Sequence, residues 1–329
     1  MLYDNHGRII NYLRLAVTDR CNLRCFYCMP ENGITYVDKK ELLSYEEMVR
    51  LIEILAKQGI EKIRITGGEP FVRKGMMDFL KTVCRVPGIK QVHLTTNGTM
   101  TAPLIPDLKK MGIQSINLSI DSLDSKRFFD ITRRDVLPQV METFHALLDH
   151  GITTKINAVV MAGKNTEDII PMTQLTKDHP VGVRFIEEMP FNGSGDDHGL
   201  ALWNHQKILD KIKTQFPNIQ KIPDPPFSTS ANYKIPNHLG TVGVIAAYSR
   251  TFCGTCNRIR LTPTGLLKTC LYDNGVFNVK DFLRAGASDA EITALFVNAL
   301  SHRAKDGFEA EQNRTGGHAV SESMATIGG

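Results

Sequence analysis

Six short runs of β-branched and apolar residues punctuate the first two-thirds of the chain: YLRLAV (12–17), KIRIT (62–66), QVHLT (91–95), SINLSI (115–120), TKINAVV (154–160) and VGVRFIE (181–187). They read as strands. Between them the apolar positions recur with the helical period, over 44–59, 75–84, 103–111, 125–130, 135–150 and 166–178. The clearest helix is SYEEMVRLIEILAKQG, where Ser44 and Glu47 form a capping box, Met48, Leu51, Ile52 and Leu55 share a face, and Gly59 suits the C′ position. Strands alternating with helices imply parallel pairing through right-handed crossovers, which an open sheet or a barrel would satisfy. The unusual residues collect behind strand ends: TGGEP after the second, TTNG after the third, SID at the fourth and EEMP after the sixth. A barrel, complete or partial, carries its chemistry at that end. The expectation is an α/β fold, an incomplete (βα)6 barrel of the TIM type over residues 1–218.

The pattern breaks near 217–240, where PNIQKIPDPPFSTSANYKIPNHLG is rich in Pro, Ser and Asn and has no helical period. Beyond it, short strand signals (TVGVIAAY, NRIRLTPTGLLKTCLY) and helical patterns near 278–285 and 288–304 predict a small α+β region over 219–329. The stretch 190–240 carries no recognisable motif, and the polar, Gly-rich end GFEAEQNRTGGHAVSESMATIGG reads as a mobile tail.

Composition changes this picture little: 42% hydrophobic and 22% charged residues suit a globular protein with a sizeable core. A formal charge of +4 hints weakly at anionic partners. No apolar run of about 18 residues is present. The opening MLYDNHGRII has neither a basic nor an apolar leader region, so a cytoplasmic protein without membrane or nucleic-acid partners is expected.

The cysteines change it most. They number seven, an odd count that favours reduced thiols over a disulfide framework. Cys84 stands alone on a predicted helix and reads as a small buried hydrophobe. The other six form two triads: Cys21, Cys25 and Cys28 at C-x3-C-x2-C, then Cys253, Cys256 and Cys270 at C-x2-C-x13-C. A structural zinc site and a fully cysteine-ligated iron–sulfur cubane each want four ligands. Either a distant residue completes a zinc clip, or one iron is left open to bind a small molecule. TGGEP likewise has two readings: a tight turn, or a close backbone approach to a ligand with Glu69 facing an ammonium group. Lys62 and Arg64 share one strand face, as do Arg258 and Arg260, and no P-loop pattern is present.

CNLRCFYC together with TGGEP resembles the radical S-adenosylmethionine superfamily, whose signature is C-x3-C-x2-C. The resemblance implies a [4Fe-4S] cluster on Cys21, Cys25 and Cys28 whose open iron chelates S-adenosylmethionine, and whose reduction releases methionine and a 5′-deoxyadenosyl radical. FCGTCNRIRLTPTGLLKTC is similar to the C-terminal segment of the GTP 3′,8-cyclases, lyases of molybdenum cofactor biosynthesis, and LRLAVTDRCN, RITGGEPFVRKG, ITRRD, KINAVVMAG, RFIEEMPF and the terminal Gly328–Gly329 carry the same likeness.

This second resemblance implies another [4Fe-4S] cluster on Cys253, Cys256 and Cys270, holding the guanine of GTP. S-adenosylmethionine would contact Tyr27, Gly67, Gly68, Glu69, Ser119 and Met189; GTP would contact Arg14, Lys62, Arg64, Thr95, Lys155, Arg184, Arg258, Ile259 and Arg260. Arg14, Arg258, Arg260, Gly328 and Gly329 would serve catalysis. The implied reaction removes hydrogen from C3′ of GTP and joins C3′ to C8, giving (8S)-3′,8-cyclo-7,8-dihydroguanosine 5′-triphosphate. The implied partners are a flavodoxin or ferredoxin reductant and the downstream cyclic pyranopterin monophosphate synthase, with a homodimer left open. The rival readings are a peptide-modifying maturase with an auxiliary cluster and a zinc or redox metal clip.

Overall fold

The six apolar runs pair in chain order as parallel strands: β1 (Tyr12–Ala16), β2 (Lys62–Thr66), β3 (Gln91–Thr96), β4 (Ser115–Ser119), β5 (Thr153–Val160) and β6 (Gly182–Glu187). The structure is a computed structural model that describes residues 1–30, 32–191, 203–314 and 322–328.

The C-terminal region adds β7 (Gln220–Lys221), β8 (Ala231–Lys234), β9 (Thr241–Ile245), β10 (Arg258–Leu261), β11 (Leu266–Lys268) and β12 (Phe277–Asn278) to the same sheet. Two of these extend the parallel set: β10 pairs with β1, and β9 with β6. Eight parallel strands therefore run in the order β10-β1-β2-β3-β4-β5-β6-β9, two more than the six expected. β9 and β10 are not bonded to each other, so the barrel stays open there, and the chain between them carries Cys253 and Cys256.

Strand alternation sorts the residues by face. Leu13, Leu15, Ile63, Ile65, Leu94, Ile116, Leu118, Ile156, Val183, Phe185 and Ile259 form the buried apolar face. Arg14, Thr95, Asn117, Ser119, Asn157, Arg184, Arg258 and Arg260 occupy the other, and all line one cavity. These polar side chains face a cavity rather than a packed core.

The helices that cover the apolar face begin with α1 (Tyr45–Lys57), whose Ser44 and Glu47 make the expected reciprocal capping box and which buries Met48, Leu51, Ile52 and Leu55. Ser44→Ala removes that cap; we expect a loss of about 1 kcal/mol in a denaturant titration, and unchanged stability would contradict it. Cys84 follows the helix Met76–Val83 and packs half-buried against the core.

Two features of the C-terminal part were not legible in the sequence. The helix His205–Gln215 lies in the stretch that carried no motif; Asn204 caps it by accepting from Lys207 N, and only Ile208, Leu209 and Ile212 are buried, too sparse a stripe to stand out. Two described parts of the tail are also more ordered than its composition suggested. Gly307–Gln312 and Met324–Ile327 are helical and bury Ala310, Ala325 and Ile327, so a few small apolar positions outweigh the polar composition.

Candidate active site

The loop after β1 carries the first triad and lies against TGGEP: Gly68 N donates to Thr18 O at 2.8 Å and Glu69 N to Arg20 O at 2.8 Å. This approach requires both glycines. Gly67 has φ +156° and a Cβ there would stand 2.7 Å from Thr18 O, while a Cβ on Gly68 would overlap the Arg20 carbonyl. Glu69 does not reach the cavity. Its carboxylate is buried behind the wall, accepting from Phe71 N, Thr96 Oγ1 and Asn97 N at 3.2, 2.9 and 2.7 Å, and burial pushes it up to about 7. It braces the TTNG turn, from which Asn97 Nδ2 points at Cys21 Sγ, 3.7 Å away.

Cys21, Cys25 and Cys28 line the cavity with Tyr27, whose hydroxyl donates to Asp121 Oδ2 at 2.8 Å. Burial drives these thiols upward, Cys21 to about 11, with Glu69 adding to it, and Cys28 to about 12, with Cys21 adding to it. Cys25 is raised further by burial and by Asp121, Cys28 and Cys21. Three mutually repelling, buried sulfurs become stable thiolates only with a cation among them. The second triad opens on the same cavity of about 320 Å³. There burial also opposes ionisation, yet Arg258 and Arg303 hold Cys256 down at about 6. Among the described residues, no group of three His, Cys, Asp or Glu side chains is arranged to hold a single metal ion. Two all-thiol sets spread around a cavity fit polynuclear iron–sulfur centres, soft donors for soft metal, better than a zinc clip.

Between the triads runs a wall of cations. Strand register sets Arg260 beside Arg14 and Arg14 beside Arg64 in one row, and Arg258, Tyr12 and Lys62 in the row below. Among the described residues, Lys62, Arg64, Lys155, Arg184, Arg258 and Arg260 have no ion pair with a carboxylate. The buried Nε atoms of Arg184 and Arg258, with Thr95 Oγ1, Asn117 Oδ1 and Asn157 Oδ1, have no hydrogen-bond partner among the described residues. Such orphans cost free energy unless a ligand completes them. Lys155 is pushed down to about 8 by burial, then by Arg184, Arg64 and Lys62, although its side chain also reaches solvent, which screens part of the repulsion. Arg14, Arg184, Arg258 and Arg260 line the cavity directly; Lys62, Arg64 and Lys155 stand outside that lining. Ile259 turns its side chain into the core, leaving only its main chain near the interior.

Gly67, Gly68, Thr95, Ser119 and Met189 also line the cavity. The segment 322–328 packs against its wall: Gly328 O accepts from Arg260 Nη1 at 3.0 Å, and a Cβ on Gly328 would stand 2.6 Å from Thr66 Oγ1 and 2.7 Å from Ala16 Cβ. Gly329, expected beside it, lies outside the described residues.

Residues 15–176 match the Radical SAM superfamily, and residues 181–308 match the family described as Molybdenum Cofactor Synthesis C. The GTP 3′,8-cyclase of Moorella thermoacetica is 38% identical over 330 residues, covering 100% of both chains. The chain belongs to the GTP 3′,8-cyclase family. Molybdenum cofactor biosynthesis protein 1 of Homo sapiens is 40% identical over 309 residues, 92% of this chain and 48% of that protein, so the chain spans about half the length of this relative. The crystal structure of Streptococcus suis SuiB bound to S-adenosylmethionine has the same fold, with a TM-score of 0.61, 15% identity, and coverage of 91% of this chain and 69% of that one. Membership of a radical SAM family implies one [4Fe-4S] cluster and S-adenosylmethionine, and the first triad is the thiol set that fits them.

Sequence reasoning missed several residues the geometry brings in. Tyr12 sits among the cations, accepting from Arg64 Nε at 2.7 Å with Lys62 Nζ 5.0 Å from its ring centre. Arg250 lines the cavity and stacks 3.6 Å over Tyr272 and 4.3 Å over Phe308. Met324 reaches the cavity from the tail. Asp121 was within sight, as the last residue of the SID that ends the fourth strand run.

Proposed function

We propose that this protein converts GTP and S-adenosylmethionine to (8S)-3′,8-cyclo-7,8-dihydroguanosine 5′-triphosphate, 5′-deoxyadenosine and methionine, the first step of molybdenum cofactor biosynthesis. The observation that carries this reading is that Arg184, Arg258 and Arg260, which pair with no carboxylate among the described residues, line one cavity together with both thiol triads. A triphosphate would complete those cations, and its nucleoside would then extend across the cavity between the triads.

Cys21, Cys25 and Cys28 would hold the first cluster, and Cys253, Cys256 and Cys270 a second. The chemistry such a first cluster supplies, with S-adenosylmethionine bound, is reductive cleavage to a 5′-deoxyadenosyl radical. The protein's share is positional. Tyr27, Gly67, Gly68, Ser119 and Met189 shape the cosubstrate side, with Glu69 acting through the turn it braces. Arg14, Arg184 and Arg260 would take the triphosphate, with Lys62, Arg64 and Lys155 adding field from behind, and Thr95 and the main chain of Ile259 would complete the nucleotide contacts. Arg258, beside Cys256, would steer the guanine end. Gly328, where a side chain does not fit, and Gly329 after it would serve the closing of the cavity. Two anchored ends fix the ribose between them, which is the main contribution a protein makes to such a reaction.

The same reading includes a flavodoxin or ferredoxin as reductant, transfer of product to a cyclic pyranopterin monophosphate synthase, a cytoplasmic location and a homodimer as the assembly to look for. No helix among the described residues is long and apolar enough to cross a membrane.

The test is anaerobic turnover: reconstituted protein, dithionite and S-adenosylmethionine, with and without GTP. GTP-dependent formation of both 5′-deoxyadenosine and a cyclised nucleotide supports the reading; deoxyadenosine without any nucleotide product overturns the substrate.

A pH dependence follows from Tyr12. Burial opposes ionisation of its phenol, but Arg64, Arg14 and Lys62 bring it down to about 7. Below that pH the phenol is neutral and the cation wall keeps its full charge; above it the phenolate neutralises part of the field. Affinity for GTP should therefore weaken as pH rises through 7, by up to about tenfold for the ~1.4 kcal/mol that one pKa unit represents. Tyr12→Phe should make the profile shallower, leaving only the part due to Lys155, whose ammonium at about 8 loses charge over the upper end of the same range. Calorimetric titration from pH 6 to 8.5 checks this, and an equally steep profile in the variant would contradict it.

A further inference from the structure

We infer that Asp4, Arg8 and Arg303 form a bracket that shapes the second thiol triad, with Arg303 the positioning residue that holds Cys256 and tunes the metal centre bound there. The inference rests on the reading that Cys253, Cys256 and Cys270 carry an iron–sulfur cluster.

Arg303 lies just beyond the helix Asp289–Leu300, with its side chain only 3% exposed. Its Nε donates to Thr269 O at 3.0 Å, next to Cys270. Its Nη1 donates to Asp4 Oδ2 and to Cys256 O, both at 3.0 Å. Its Nη2 donates to Cys256 Sγ at 3.1 Å and to Arg258 O at 3.0 Å. Arg8 completes the hold, donating from Nη1 to Cys253 O at 3.1 Å and from Nε to Asp4 Oδ2 at 2.6 Å. Asp4 is thus the shared counterion of both guanidinium groups, and its other oxygen accepts from His6 N and Arg8 N at 2.9 and 3.0 Å. Together the two arginines grip the main chain at Cys253, at Cys256 and immediately before Cys270.

A brace for the main chain alone would not place a donor on sulfur. A buried guanidinium is tolerated only when its donors and charge are satisfied, and here the Cys256 sulfur is one of the acceptors that does so. A charged N–H on a ligating sulfur stabilises the more reduced, more negative state of an iron–sulfur centre and raises its potential. Only the planar fork of arginine can reach Thr269 O, Asp4 and both atoms of Cys256 at once, so lysine is not equivalent. The bracket also explains a chemical use for the first eight residues, which carried no motif in the sequence.

The test uses full-length, anaerobically reconstituted protein in a Cys21→Ala/Cys25→Ala/Cys28→Ala background, so that any remaining iron belongs to the second triad. Iron per chain and the midpoint potential, followed by electron paramagnetic resonance, are read for Arg303 and for Arg303→Lys, Arg303→Met and Asp4→Asn. The background should hold about four irons. Arg303→Lys should keep the cluster at a more negative potential, Asp4→Asn should lower its occupancy, and Arg303→Met should lose it. Should Arg303→Met not fold, the potential of Arg303→Lys decides. Unshifted potential and full occupancy in the variants would overturn the inference while leaving the second cluster standing. A background without iron would overturn the cluster reading itself.

Discussion

Cys25→Ala should abolish 5′-deoxyadenosine formation and lower bound iron from about eight to about four per chain, leaving the second set in place. Burial first, then Asp121, Cys28 and Cys21 raise the Cys25 thiol well above its ordinary range, against a smaller lowering by the Tyr27 hydrogen bond, so as a free thiol it stays neutral. Only a metal cation among the three sulfurs offsets that cost, and removing one donor leaves two where the loop was built for three. Asp121, the carboxylate that raises Cys25, offers a hard oxygen donor rather than the soft thiolate the cluster needs. The effect is a loss to background rather than a partial decrease, measured by chromatography of the deoxyadenosine product and by iron analysis. Residual GTP-dependent cleavage in this variant would contradict the assignment of the triad.

Arg258→Ala should separate the two halves of the chemistry. Deoxyadenosine formation should persist, while the cyclised nucleotide should fall on the order of 10²-fold, the range seen when one preorganised charged donor is removed from an enzyme site. The separation follows from position. Arg258 is on β10, beside Cys256, its guanidinium 5.3 Å from the Phe252 ring and its Nε buried without a partner among the described residues, whereas the first triad belongs to the loop after β1. Its main-chain carbonyl, which accepts from Arg303, is kept in the variant, so the second triad should retain its iron. Equal loss of cleavage and cyclisation would contradict the role given to this arginine.

How much of this was legible beforehand depended on the length scale of the signal. The six barrel strands and their helices were legible because each carries its own period, and the Ser44–Glu47 capping box is a local pattern. β9 and β10 were legible as strands but not as barrel strands, since only long-range pairing with β6 and β1 makes them so. The thiol triads were plain from spacing. Glu69 was visible as a functional-looking acid, yet its burial and its two hydrogen bonds to the TTNG turn depend on neighbours about 27 residues away in the chain. Tyr12 and Arg303 were silent for the same reason. A tyrosine in a strand and an arginine after a helix look ordinary until the fold puts the first among cations and the second on Cys256.

The central claim is that the cavity holds the ribose of GTP so that C3′ is the atom from which hydrogen is taken. Turnover of GTP deuterated at C3′, with mass analysis of the 5′-deoxyadenosine formed, tests it most directly. The account predicts one deuterium in the deoxyadenosine together with cyclised nucleotide. Cyclised nucleotide accompanied by unlabelled deoxyadenosine would contradict it.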